Sequence, residues 1–194
     1  REGIDAVLAT YRAQAIRRIV ALRGDLPSGT AVAGEFRYAA ELVRFIRETQ
    51  GEDWQIEVAA YPEYHPGQRY AARDLQHYVD KVRAGADSAI TQFFFNPEAY
   101  FHFVEQTRKL GASVPVVPGI MPFHNYARIA QFSARDGIDI PRWVALKMEG
   151  FMDDAASIRA FGLDVVTSLC ERLIAGGAPG IHFYTMNQSA LTLE

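Results

Sequence analysis

Apolar and polar positions along this chain alternate between two rhythms. Short runs rich in β-formers fall at residues 18–25, 56–63, 88–95, 114–121 and 181–187. Between them lie longer stretches in which apolar residues recur at helical spacing, as in Ala71, Leu75, Tyr78, Val82 and Ala86, or Ile158, Val165, Leu169 and Leu173 within residues 153–176. Ile4, Ala6, Val7, Leu8 and Tyr11 set a helical rhythm from the start of the chain. Punctuation agrees with these assignments: Asn96 can cap a helix whose first turn begins at Pro97 and which stops at Gly111. Alternating strands and amphipathic helices predict parallel strands joined by crossover helices, an α/β protein.

The first four runs begin at residues 18, 56, 88 and 114. That spacing is close to the roughly 31 residues per unit of an eight-unit barrel of about 250 residues. An open doubly wound sheet is the alternative, but it would usually carry a Gly-x-Gly-x-x-Gly turn, and none occurs. The pattern therefore predicts a TIM-type (β/α)8 barrel of which about the last five units are present. Five strands cannot close such a barrel. The expectation is that residues 1–194 form a single barrel domain, N-terminally truncated, with three further units of roughly 90 to 95 residues before Arg1.

Composition narrows the function classes. With 49% hydrophobic residues the chain can bury a substantial core. A net charge of −3, with Lys and Arg scattered, gives no footprint for nucleic acid. No apolar run approaches the roughly 20 residues of a membrane span, and no secretory pattern opens the chain, so the expected compartment is the cytoplasm. The lone Cys170 sits at helical spacing among Val166, Leu169 and Leu173, as an apolar filler would. The five histidines show no HxxxH or Cys/His spacing, so no metal site is expected.

Chemistry-bearing residues gather where a barrel would use them, at the C-terminal ends of the strands. These ends read Arg23-Gly24-Asp25, Tyr61-Pro62-Glu63-Tyr64-His65, Thr91-Gln92-Phe93-Phe94-Phe95, Pro118-Gly119-Ile120-Met121-Pro122 and His182-Phe183-Tyr184-Thr185-Met186-Asn187. Five polar or aromatic ends aimed at one mouth make a pocket for a cofactor and a substrate. The ordered set ALRGD, AAYPE-x-HP, AITQFFF, VPGIMP and HFYTMN resembles the methylenetetrahydrofolate reductase family across essentially the whole chain. The resemblance implies a cytoplasmic, homo-oligomeric flavoprotein in which NADH or NADPH reduces FAD. The reduced flavin then passes hydride to 5,10-methylenetetrahydrofolate, giving 5-methyltetrahydrofolate for methionine biosynthesis. Two alternatives stay open: another flavin-dependent barrel oxidoreductase, and an inactive barrel fragment, because the family's general-acid glutamate belongs to a strand outside this chain.

By resemblance Asp25 is the catalytic aspartate, touching both flavin and substrate; on its own it also reads as a solvated turn residue beside Leu26-Pro27. The FAD contacts implied are Arg23, Gly24, Asp25, Tyr38, Ala39, Tyr61, His65, Asp74, His77 and Lys81. Arg23, His65 and Lys81 have the chemistry to neutralise a pyrophosphate without a glycine-rich turn. Asp74, His77 and Lys81 fall at i, i+3 and i+7 on one helix stripe, which is equally the pattern of a solvated face. The substrate contacts implied are Asp25, Gln92, Arg128, Phe132, Tyr184 and Gln188. Gln92 shares strand parity with Ile90 and Phe94, and an amide in an apolar layer needs partners, either a pterin or neighbouring backbone. Phe132 reads as a stacking ring by resemblance and as a core aromatic beside Tyr126 and Ile129 by periodicity. Arg128 stands where relatives often have glutamine, and Gln188 where they often have the arginine that meets the folate's glutamate tail, so the charge is expected to have moved between these positions.

Overall fold

The computed structural model describes residues 1–24, 35–65, 70–123 and 125–193; Asp25 and His124 lie outside them. The described elements run α1 (Glu2–Ala13), β1 (Arg18–Ala21), α2 (Ala39–Gln50), β2 (Gln55–Ala60), α3 (Ala71–Arg83), β3 (Ser88–Thr91), α4 (Pro97–Lys109), β4 (Val116–Val117), β5 (Gly119–Ile120), α5 (Tyr126–Asp136), α6 (Arg142–Gly150), α7 (Ala155–Ala175), β6 (His182–Phe183) and α8 (Ala190–Leu193). β1 to β4 pair in chain order as one parallel sheet, and β5 pairs in parallel with β6. All strand ends therefore emerge at one edge, as the alternating pattern requires.

Local chemistry sets the helix starts. Asn96 accepts from the N–H of Glu98 at 3.0 Å with Pro97 in the first turn, as predicted. Asn125 and Asp154 do the same for α5 and α7, accepting from the N–H groups of Arg128 and of Ala156 and Ser157. At α2 the side chain of Glu41 reaches back to the N–H groups of Arg37 (2.6 Å) and Tyr38 (3.2 Å). Helix α6 has no counterpart in the sequence reading. Its nine residues bury only Val144 and Met148, too few to show a period.

Alternation along the strands builds the core. Ile56, Val58 and Ala60 of β2 and Ala89 of β3 are fully buried, in one layer with Val43 of α2 and Val79 of α3. The opposite face is more open: Val20 is 49% exposed and Leu22 53%.

Five strands were expected, and six short ones are present among the described residues because Pro118 divides the fourth. Proline has no N–H to donate to the ladder. Residues 116–117 serve β3 on one side, whereas residues 119–120 serve β6 on the other. The N–H of Gly119 turns to the hydroxyl of Thr91 (2.8 Å) instead of a strand carbonyl. A Cβ on Gly119 would collide with the Thr91 carbonyl and lie 2.6 Å from the ring of Tyr184, so only glycine permits this crossing. The strand count alone does not close the sheet into a barrel.

At the strand-start edge one arginine ties three segments together. Arg47 of α2 donates to the carbonyls of Gly85 (2.9 and 2.7 Å) and Trp54 (2.8 Å) and to the carboxylate of Asp87 (2.7 Å). Asp87 in turn accepts from the N–H of Ile56 at 2.6 Å, joining β2 to the start of β3. Gly85, at φ +111°, leaves room for the Arg47 stem, since a Cβ would stand 2.8 Å from its Cγ. Arg47→Met removes the charged donor from these acceptors, leaving Asp87 only the Ile56 N–H, and is expected to lower the unfolding free energy by about 2 to 3 kcal/mol in urea titration. Arg47→Lys restores only part of the loss, because an ammonium presents three donors at one point and not the broad planar fork of a guanidinium.

Candidate functional site

Three groups of side chains meet at the strand-end edge. The first lies beyond β2 and along α3. The rings of Tyr61 and His65 meet edge to face at 4.7 Å, and the backbone N–H of His65 donates to Asp74 at 2.8 Å. Lys81, about two turns further along α3, donates from Nζ to the carbonyl of Ala59. Burial brings its ammonium down to about 8 from an ordinary 10.5, and the nearby Asp74 opposes that fall. Tyr38, at the start of α2, stacks on His77 with centroids 5.2 Å apart and planes 19° apart. Arg23, exposed after β1, donates to the carbonyl of Gly24 at 3.2 Å, and Gly24 sits at φ +76°. Ala39 is the first residue of α2. The stripe of Asp74, His77 and Lys81 is thus turned toward neighbouring elements, not wholly solvated.

A second group occupies the centre. Gln92 continues the ladder through its N–H to Ala60 (2.8 Å), and its side-chain oxygen accepts from the N–H of Phe93 (3.0 Å). Its amide nitrogen has no partner among the described residues. The strand parity expected through Phe94 is corrected here. β3 ends at Thr91, and Phe93 and Phe94 are both buried, at 1% and 2% exposure, while Gln92 is half-buried at the edge. Tyr184 donates its hydroxyl to the Thr91 carbonyl at 2.8 Å. Burial, with a smaller contribution from Tyr61, pushes that phenol up to about 12. Its ring, not its hydroxyl, is what remains to offer a ligand.

The third group is a cleft lined by Met121, Pro122, Phe123, Asn125, Arg128, Ile129, Phe132, Thr185, Met186 and Gln188. The Asn125 cap starts α5 just beyond β5, so Arg128, Ile129 and Phe132 share the face that looks into it. On the far wall Met186 and Asn187 adopt φ of 51° and 60°, turning the chain so that Gln188 returns to the cleft with its N–H on Thr185. The Phe132 ring lies between two guanidiniums, Arg128 at 5.5 Å and Arg135 at 5.2 Å. Phe132 is thus a half-buried wall of the cleft that also packs against the core. Among the described lining residues there is a cation and no carboxylate, which suits a ligand with an apolar body and an anionic end.

The model of the family described as methylenetetrahydrofolate reductase matches residues 1–194. The chain belongs to the methylenetetrahydrofolate reductase family. It is 38% identical to the 5,10-methylenetetrahydrofolate reductase of Salmonella typhimurium over 99% of this chain and 64% of that protein. The Escherichia coli enzyme of the same name is 38% identical over 98% of this chain and 63% of its own length. A probable NADH-type methylenetetrahydrofolate reductase of rice is 35% identical, with 34% of its length covered. The chain thus spans under two thirds of the bacterial relatives. Among solved structures, an uncharacterized Clostridium thermocellum protein that binds two copies of 5-methyl-5,6,7,8-tetrahydrofolic acid aligns with TM-score 0.52 at 18% identity, covering 86% of this chain and 55% of that one. That likeness is one of fold.

Apart from Asp25, which lies outside the described residues, the residues singled out in the sequence lie after β1, at the start of α2, after β2 and along α3, at the end of β3, and around the cleft. The residues of two further site features stand in the strand-end motifs, but the contacts they make had no signal in the sequence. One is the Thr91–Gly119–Tyr184 crossing. The other is Glu63, a half-buried carboxylate whose pKa is raised by burial; the N–H of Asp139 lowers it and the charge of Asp139 raises it further. Among the described residues no group of His, Cys, Asp and Glu is placed to hold a metal, and no helix is long and apolar enough to cross a membrane.

Lys81 carries a pH signature with a definite sign. Its folded pKa of about 8 lies below the ordinary 10.5, so the native state binds fewer protons than the unfolded state between those values. Stability is expected to rise as pH goes from about 8 to 10.5, by at most about 3 kcal/mol. Lys81→Met removes that rise, as read by chemical denaturation at a series of pH values.

Proposed function

We propose that this chain forms most of the active site of a reductase that converts 5,10-methylenetetrahydrofolate to 5-methyltetrahydrofolate with NAD(P)H and FAD. The observation that carries the reading is the cleft in which Arg128, Phe132 and Gln188 come together, at the same edge as Tyr61, His65, Asp74 and Gln92. The identity to named reductases over nearly the whole chain supports it. Openness of the sheet face bearing Val20 and Leu22 supports the further proposal that the sheet is one arc of a (β/α)8 barrel, whose interior is normally filled by side chains.

The residues present fit a dinucleotide flavin. Arg23 is an exposed guanidinium beside Gly24, His65 and Lys81 add polar donors, and Tyr38 and Tyr61 offer rings at the edge. The chemistry that FAD supplies when bound is storage of hydride between NAD(P)H and the folate. The protein's part is binding and orientation. Arg23, His65 and Lys81 offset pyrophosphate charge, Asp74 holds the His65 backbone in place, and the amide nitrogen of Gln92, without a partner among the described residues, donates to an acceptor on the pterin or nicotinamide ring. Phe132 gives a stacking surface, and Arg128 meets a carboxylate of the substrate tail. Asp25, next to Gly24, is proposed as the carboxylate that accepts from the pterin's N–H groups.

Two measurements test this reading. In anaerobic spectra of the native-length protein, the flavin band is expected to bleach with NADH and return when methylenetetrahydrofolate is added. A colourless protein that stays so with added FAD refutes the proposal and favours an inactive fragment. A reduced flavin that a different acceptor, but not the folate, reoxidises favours another oxidoreductase. Separately, Arg128→Ala is expected to raise the folate KM about tenfold, the scale of one charge-assisted hydrogen bond, while Gln188→Ala stays within twofold. The reverse order overturns the assignment of the tail contact.

A further inference from the structure

The five residues after β2 are held from two sides. On one side the N–H of His65 is bound by Asp74 of α3, at 2.8 Å. On the other the carboxylate of Glu63 accepts the backbone N–H of Asp139 at 2.9 Å, across 76 positions of sequence. Asp139 lies in the turn between α5 and α6. That turn begins where Gly137 ends α5 in the left-handed region (φ 70°, ψ 30°) and Ile138 returns its N–H to Ser133 at 2.9 Å. Ile138, 8% exposed, packs into the core, so Asp139 is presented by a seated segment and not by a loose loop. Helix α5 also carries Arg128, Ile129 and Phe132, one wall of the cleft.

We propose that Glu63 is a positioning residue for the folate cleft: by binding the Asp139 N–H it sets the C-terminal end of α5 against the end of β2, and so places Phe132 and Arg128 relative to Tyr61 and His65. This rests on the reading of the cleft given under the proposed function. The physical argument is one of geometry. The helix carrying a binding wall is seated near its N-terminus by Ile129, which is buried in the core. The Glu63 contact fixes its other end to the neighbouring part of the same mouth. With both ends tied, the separation between the cofactor-side rings and the substrate-side ring is preset, and substrate binding does not have to order it. Without the acceptor, the Asp139 N–H is released, and the α5–α6 turn opens more readily.

What Asp139 needs from residue 63 is an acceptor oxygen, not a charge. The two substitutions at this site therefore separate positioning from general damage. In the FAD-loaded, native-length protein, Glu63→Gln keeps an acceptor and is expected to retain the wild-type folate KM within about twofold. Glu63→Ala is expected to raise that KM about five- to tenfold, with kcat and the rate of flavin reduction by NADH changed less than twofold. Hydrogen exchange reads the contact without any turnover: peptides spanning residues 126–141 should exchange faster in Glu63→Ala than in wild type or Glu63→Gln. Unchanged exchange in Glu63→Ala overturns the proposal. So does faster exchange with an unchanged folate KM, or a Gln variant as impaired as the Ala variant. A wild-type protein that does not turn over the folate sinks the reductase reading by itself, and the exchange comparison then decides whether Glu63 holds α5.

Discussion

The rest of this structure depends on the parallel register held at the strand-start edge by Arg47 and Asp87. Parallel strands cannot be joined by tight hairpins, so their alignment must be imposed by contacts between segments far apart in sequence. Here a guanidinium on α2 reads the carbonyls of Trp54 and Gly85, and the carboxylate it binds reads the first N–H of the β2 core. Because the tie lies at one end, the opposite ends of the same strands are left free to carry rings, amides and cations without bearing the load of alignment.

The strand-end edge shows how departures from regular sheet produce a site. Pro118 removes a ladder donor, Gly119 lets Thr91 and Tyr184 approach, and the single strand of the sequence pattern becomes a crossing between two pairings. This crossing orients the exit toward α5 and brings the β6 end beside it, so that the cleft lies between residues some 60 positions apart. The left-handed turn at Met186 and Asn187 completes the far wall. These backbone departures lie at the edge where the candidate chemistry also lies, consistent with local rules being broken at functional sites.

Much of the fold was legible in the pattern of residues. Periodicity marked α1, α3 and α7, the Asn96-Pro97 start of α4 was readable from capping chemistry, and the five runs of β-formers all contain strand. What was not legible has particular causes. α6 is too short and too exposed to show a period, β3 stops at Thr91 so that Phe93 and Phe94 can both turn inward, and the split at Pro118 needs knowledge of which neighbour lies on each side. In the site, the strand-end motifs held Glu63 together with residues of all three groups, but not its role, because its partner is a backbone N–H that has no side-chain signature.

The sequence by itself determined the class of the protein and the kinds of group at its mouth, because periodicity and strand-end motifs are local properties written in neighbouring residues. It also marked the exchange of Arg128 and Gln188 as a pair of positions to watch. Only the tertiary structure decided that these two line one cleft, that Tyr184 commits its hydroxyl to Thr91, that Lys81 is buried enough to lose much of its basicity, and that Glu63 reaches Asp139. Each of these depends on distance, burial or direction between residues far apart in the chain, and such quantities exist only once the strands are aligned and the helices packed.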